Sequence, residues 1–340
     1  DGMPWPPSRL APAAAILAAL TAAVVSVAAP LAVYSVTLAA FGLPHVLSEL
    51  RYVDRRFGRR LGAPTVIAMA AVLALIVATR AAGIVRLLPP DVERPLELGL
   101  VAVLALTAAR GQTATRGAAV AIALAIGLLA IIDPFETTIG FSILHNLTPL
   151  GFLWQLAPKN RRLTVMACAT AIFIGLPLVV ATGAPRLALQ ALGVSASTLD
   201  PLGAGPLPID LGVYVPGRLI ASAHAIDLFT ASVVAQQAHY TAVIVVLPLL
   251  LRRWSPDARG LLPWPRGLLF AAPVALVAIV ALSRFAVDFT GSREIYSLFA
   301  AVHAWLEIPI LITALTVVQP LSKNPAPNDA ALVANETSIA

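Results

Sequence analysis

The chain's five histidines are His45, His145, His224, His239 and His303. Each lies within or beside an apolar run, and none sits in a loop well clear of one. Ionisable groups are costly at membrane depth and mark functional sites there by default. Glu49 follows His45 by four positions, Glu307 follows His303 by four, and Asp227 follows His224 by three. On a helix such pairs share a face. A carboxylate beside an imidazole serves either as a second metal ligand or as the acceptor that orients the ring. Histidines and carboxylates on facing helices also build metal sites in bundle cores, and imidazole suits iron, copper and zinc.

Spacing selects among the five. Fifteen helical residues separate His224 from His239, which is roughly 22 Å of rise, so the two cannot share an ion on a regular helix. The set with one histidine per apolar segment is His45, His145, His239 and His303, with Glu49 and Glu307 as ligating, orienting or catalytic carboxylates. His224, Asp227, Gln236 and Tyr240 are secondary candidates. The same residues also admit a proton relay, a haem with two axial histidines, or hydrogen bonding between packed helices.

Four elements must deliver those side chains, and the chain supplies long apolar ones throughout. Of its 340 residues 59% are hydrophobic and 12% charged, against about 25% charged in soluble domains. Runs of about 20 apolar residues read as membrane spans. They fall near 11–29, 31–50, 63–79, 96–109, 117–132, 137–157, 163–183, 220–251, 266–283 and 295–319. The expectation is an all-α polytopic bundle of about ten transmembrane helices. It occupies 1–319 as a single domain, with an outer segment at 184–219 carrying Asp200, Asp210 and Tyr214, and a polar tail at 320–340. The first run has no small-x-small cleavage site and continues into the second, so it is read as a retained span.

Loop charges set the orientation. Alternate loops hold 16 of the 23 basic residues, from Arg9 and the Arg51–Arg60 cluster through Lys159 and Arg252 to Lys323. The positive-inside rule puts these loops, and both termini, in the cytoplasm; the expected location is a bacterial inner membrane. The net charge of +6 is thereby a feature of topology, and no nucleic-acid partner is expected. The cluster of Arg51, Tyr52, Asp54, Arg55 and Arg56 reads as a cytoplasmic cap that could hold an anionic headgroup. The single cysteine, Cys168, excludes a disulfide framework and a cysteine metal site within one chain. Phosphate-binding glycine loops, nucleophile elbows, HExxH and the clustered histidine boxes of membrane desaturases are absent.

Pro44 precedes His45, Pro149 follows His145 by four, and Pro309 follows Glu307 by two. Proline frees a carbonyl and kinks a helix, and such breaks at membrane depth line cavities.

The stretch Phe41-Gly42-Leu43-Pro44-His45-Val46-Leu47-Ser48-Glu49 resembles the Gly-Met/Leu-Pro-His motif of the bacterial membrane β-carotene dioxygenases, the bacteriorhodopsin-related-protein-like family. That family is multispan and iron-dependent and cleaves carotenoid to retinal. The resemblance covers about ten residues. It implies His45 as an iron ligand, with His145, His239 and His303 as analogues by placement, and Glu49 approximates the family's acidic residue. The family's later paired-histidine box is missing. The resulting expectation is a histidine-ligated membrane oxygenase, with iron (or copper or zinc), acting on a carotenoid or other lipid. Two other readings stand beside it. One is a proton-coupled transporter using the His/Glu pairs; the other is a non-catalytic subunit of a larger membrane complex.

Overall fold

A computed structural model describes residues 10–110, 113–255 and 258–316. The polar tail at 320–340, the end of the last expected span, Arg9 and Lys323 lie outside the described residues. Among the described residues every element is helical. The helices begin with α1 (Leu10–Ala28), α2 (Pro30–Leu61), α3 (Ala63–Ile84), α4 (Pro90–Leu106) and α5 (Thr113–Ile132). Then come α6 (Pro134–His145), α7 (Thr148–Leu156), α8 (Lys159–Ala181), α9 (Ala184–Ala191) and α10 (Leu207–Leu211). The last three are α11 (Ala225–Trp254), α12 (Leu268–Val287) and α13 (Phe289–Thr316).

Seven of these are long and apolar enough to cross a membrane: α2, α3, α5, α8, α11, α12 and α13. Each of the other three expected spans coincides with helix but falls short. The apolar stretch of α1 runs only over Ala13–Ala28. Helix α4 has 17 residues and ends in a 3-10 turn at Thr107–Arg110. The segment expected at 137–157 is two helices of 12 and 9 residues, α6 and α7. Pro149 lies in the first turn of α7, where proline is tolerated but cannot continue a preceding helix, so the chain breaks at Asn146–Leu147. Asp133 caps α6 by accepting from the Glu136 amide at 3.0 Å, the N-terminal signal its sequence carries.

Prolines also reshape the continuous helices. Helix α8 contains a π-turn at Ala171–Gly175 just before Pro177, and α11 one at Ala242–Val246 just before Pro248. A proline removes an amide and crowds the carbonyl four residues back, and a widened turn relieves that crowding.

Burial separates centre from periphery. In α2, α11 and α13 the apolar windows are 56%, 50% and 39% buried, against 28% or less in α3, α5, α8 and α12. Of the three central helices α2 packs against both α11 and α13, while α7 and α3 pack on α13, α8 on α11 and α12 on α2. The peripheral helices expose large apolar side chains such as Leu124, Leu163 and Ile279, as lipid contact requires.

Two apolar layers sandwich a polar one. The first layer holds Tyr34 of α2, Phe229 of α11 and Phe289 of α13, closed over by Leu211, Tyr214 and Val215 from the 184–219 segment. The second holds Tyr52, Val243 and Ile310 from the same three helices, with Phe152 of α7. Between the layers on each central helix stands a histidine: His45, His239 or His303. Small residues let the elements close. A side chain at Gly42 would meet the Tyr296 ring at 2.9 Å, and one at Gly151 would meet Leu311 at 2.6 Å.

The 184–219 segment is a packed cap built from α9, α10 and a turn at Gly217–Leu219. Its Asp200 accepts from the Ala204 and Gly205 amides, both at 2.8 Å. Desolvation acts to raise the Asp200 carboxyl, but these amides outweigh it and hold the group below the usual carboxylate range.

Candidate metal centre

His45, His145, His239 and His303 come together: one ligand atom from each lies within 4.8 Å of the other three. Counting from the starts of α2, α6, α11 and α13, the four are 15, 11, 14 and 14 positions in. His45, His239 and His303 are buried and His145 nearly so.

The hydrogen-bond partners assign the tautomers. His45 Nδ1 faces the Phe41 carbonyl oxygen at 3.1 Å and His303 Nδ1 faces that of Phe299 at 3.4 Å. His145 Nδ1 faces Glu307 Oε2 at 2.5 Å. A carbonyl or carboxylate oxygen only accepts, so each Nδ1 carries the proton and donates it. That leaves the three Nε2 atoms as lone pairs. His45 Nε2 and His303 Nε2 are 2.9 Å apart, and His303 Nε2 and His145 Nε2 are 3.1 Å apart. Neutral rings in these tautomers have no hydrogen to share between those nitrogens. A second proton on one ring would place an imidazolium among buried neighbours, which is costly without a counter-charge. A cation among the three nitrogens removes the conflict. With zinc–nitrogen bonds of about 2.0–2.1 Å, tetrahedral ligand nitrogens lie roughly 3.3 Å apart, close to what is seen.

His239 completes the set from α11. Its ring centroid is 4.4 Å from that of His145 and 5.4 Å from that of His45. Among the described residues neither ring nitrogen has a hydrogen-bond partner, and neither does either carboxylate oxygen of Glu49. His239 Nε2 lies 3.6 Å from Glu49 Oε2, so a small rotation would let the ring donate to Glu49 from one nitrogen and face the cluster with the other.

Both carboxylates therefore address histidines on other helices. Glu49 approaches His239 and not its neighbour His45; Glu307 binds His145 and not its neighbour His303. The spacing of four correctly places each Glu one turn from the histidine layer, but packing decides its partner. Thr148, the first residue of α7, donates to Glu307 Oε1 at 2.6 Å and fixes that carboxylate. The break between α6 and α7 thus supplies both a ligand and the group that holds its acceptor.

The secondary candidates divide. Tyr240 stacks on His45, with centroids 4.1 Å apart and planes 25° apart, and accepts from Gln236 Nε2 at 2.7 Å. Both border the centre. His224 and Asp227 do not: the His224 side chain is 67% exposed and lies 3.7 Å from Asp227. Asp227 accepts from Arg186 Nε and Nη2 at 2.7 and 2.9 Å. This is an ion-paired anchor between α9 and the start of α11, so a role beside the metal is corrected for both residues. The spacing of three was a true contact in the wrong place.

A cavity of about 560 Å³ runs past the centre. Its lining includes Tyr34, Tyr240 and Tyr296 on one side of the histidines and Thr148, Gly151 and Leu311 on the other, with His45, His145, His303 and Glu307 between. On α13 it extends from Arg293 to Leu315, roughly 33 Å of helix at the standard rise. The walls are mostly apolar, and Leu144 and Leu315 at its margins are exposed. Its two arginines are already paired. Arg80 holds Glu97 through two bonds of 3.1 and 2.5 Å, while Trp305 donates to the same carboxylate at 2.7 Å. Arg293 holds Asp210 at 2.5 Å.

Sequence reasoning passed over Thr148, Tyr296 and the Arg80–Glu97 pair. Thr148 carried one signal, its place directly before Pro149 where the α6 pattern must break; the others depend on helices whose packing order no single sequence reveals.

Comparison with protein-family models, with curated proteins and with solved structures gives no match.

Proposed function

We propose that the chain is a membrane-embedded, histidine-ligated metalloenzyme, an iron-dependent oxygenase acting on an elongated apolar substrate such as a carotenoid or another lipid. The observation that carries this reading is the convergence of three Nε2 lone pairs at 2.9 and 3.1 Å, each ring's Nδ1 being turned to an acceptor. His45, His145, His239 and His303 would hold the ion. Imidazoles alone suit iron, copper or zinc, and iron is chosen from the resemblance around Pro44-His45. When bound, iron would supply the activation of dioxygen, whose two atoms would enter the two carbonyl products of a cleaved double bond.

The residues around the ion have separate tasks. Glu307 holds His145 in orientation, Glu49 stands 3.6 Å from His239 in reach of the same task, and their two negative charges would balance a divalent ion among four neutral rings. The cavity along α13 accepts a long apolar chain lying past the centre, entered sideways from the bilayer between α6 and α13. Tyr240 and Gln236 form a polar wall beside His45.

On the positive-inside count, the Arg51–Arg60 end faces the cytoplasm of a bacterial inner membrane. Helices α1, α4 and the broken α6–α7 pair would then complete a ten-span topology with both termini inside.

The test is oxygen uptake by detergent-purified chain loaded with Fe(II) and supplied with carotenoid. Uptake coupled to bleaching of the polyene absorption, and absent in His303→Ala, is expected. Iron-loaded protein that consumes no oxygen with carotenoids or other unsaturated lipids would refute the proposed reaction.

A further inference from the structure

A second site lies at the other end of α2. Arg51, Arg55 and Arg59 recur every four residues, so one face of the helix end carries three guanidiniums. Like charges at that spacing repel, and the helix C-terminus offsets only part of the repulsion. The loop between α11 and α12 folds over this face and adds Arg259 and Arg266 around a cavity of about 270 Å³.

Asp54 shows how the loop is held. Its carboxylate accepts from the Leu261 and Leu262 amides at 3.0 and 3.1 Å and from Trp264 Nε1 at 2.9 Å. Asp54, the carboxylate at the cluster among the described residues, is thus spent on anchoring the loop. Among the described residues Arg55 and Arg59 donate to backbone carbonyls, of Ala258 and Gly260. Arg51 lies over the Phe270 ring at 4.0 Å, and its buried Nε has no partner. Among the described residues none of the five arginines forms a salt bridge, whereas Arg80, Arg186 and Arg293 all do. Leu261, Leu262, Leu268 and Leu269 beside the pocket are exposed.

We infer that this pocket binds a phosphate-bearing anion, and that the exposed leucines beside it favour the headgroup of an anionic phospholipid over free phosphate. Guanidiniums match phosphate oxygens by charge and geometry, and basic pockets at helix ends on the cytoplasmic side suit such headgroups. The inference does not depend on the metal centre.

The test uses native mass spectrometry of the full chain released from nanodiscs of phosphatidylcholine and phosphatidylglycerol. Wild type should retain phosphatidylglycerol. Arg55→Ala/Arg59→Ala on the helix, and separately Arg259→Ala/Arg266→Ala on the loop, should lower retention about tenfold or more. Because the pairs lie on different elements, misfolding of one leaves the other informative. Arg252→Ala/Arg253→Ala, which removes equal charge from the same end outside the pocket, should retain the lipid as wild type does. An excess of inorganic phosphate that displaces the lipid would show that the phosphate group alone is read; retention in its presence would show that the acyl chains contribute. The inference is overturned if wild type retains phosphatidylglycerol no better than phosphatidylcholine. It is equally overturned if the Arg252/Arg253 control loses as much lipid as the pocket variants.

Discussion

One cavity passes two groups of polar side chains that have opposite fates. Toward the 184–219 cap, Arg80 and Arg293 each meet a buried carboxylate at hydrogen-bond distance, with Trp305 completing the first pair. These charges are ion-paired within the chain and tie elements together, although Asp210 Oδ2 has no hydrogen-bond partner among the described residues. Midway along, three imidazole nitrogens face one another with lone pairs only, and the side chains of Glu49 and His239 have no hydrogen-bond partner among the described residues. Buried polar groups are almost always paired, and the unpaired cluster is where the metal is proposed to sit. Both groups are ionisable residues in apolar helices; the state of their pairing separates scaffold from site.

Substitutions can break or sharpen that contrast. The largest effect on metal binding is expected from His303→Ala, because His303 Nε2 touches both His45 and His145. Metal measured by elemental mass spectrometry after chelator-free purification should fall to background. Glu307→Gln leaves all four ligands in place but weakens the acceptor of His145. A loss of roughly 10- to 100-fold in affinity is expected, read by competition with a chromophoric chelator. Tyr240→Phe keeps the ring stacked on His45 and removes the bond to Gln236. Metal should be retained within a few-fold, and apparent stability should fall by about 1 kcal/mol.

Arg80→Met should leave metal content unchanged while stranding Glu97. Breaking a buried pair in this way costs about 3–5 kcal/mol, visible as a lower melting temperature. Loss of metal from Arg80→Met, or its retention in His303→Ala, would erase the distinction between the two groups.

Much of this was legible in the residues. Apolar length located every long helix, because lipid-facing surface must be apolar whatever the packing. One histidine per helix, on four helices, picked out the four side chains that converge, and the exclusion of His224 rested on helical rise alone. What stayed hidden was everything set by packing order. Glu49 and Glu307 sit one turn from His45 and His303 but serve His239 and His145 across the bundle. The Asp227 contact with His224 is real yet belongs to an anchor with Arg186, forty-one positions away. The arginine pocket needed a loop from beyond α11 to close over α2, and no spacing within either segment shows that.

X-ray absorption at the metal edge of the purified wild-type chain tests the central claim most directly. A first shell of nitrogen neighbours with the outer-shell scattering of about four imidazoles is predicted, four being the number of histidines that converge. A shell dominated by oxygen or sulfur, or purified protein holding no metal even after anaerobic loading, would contradict it.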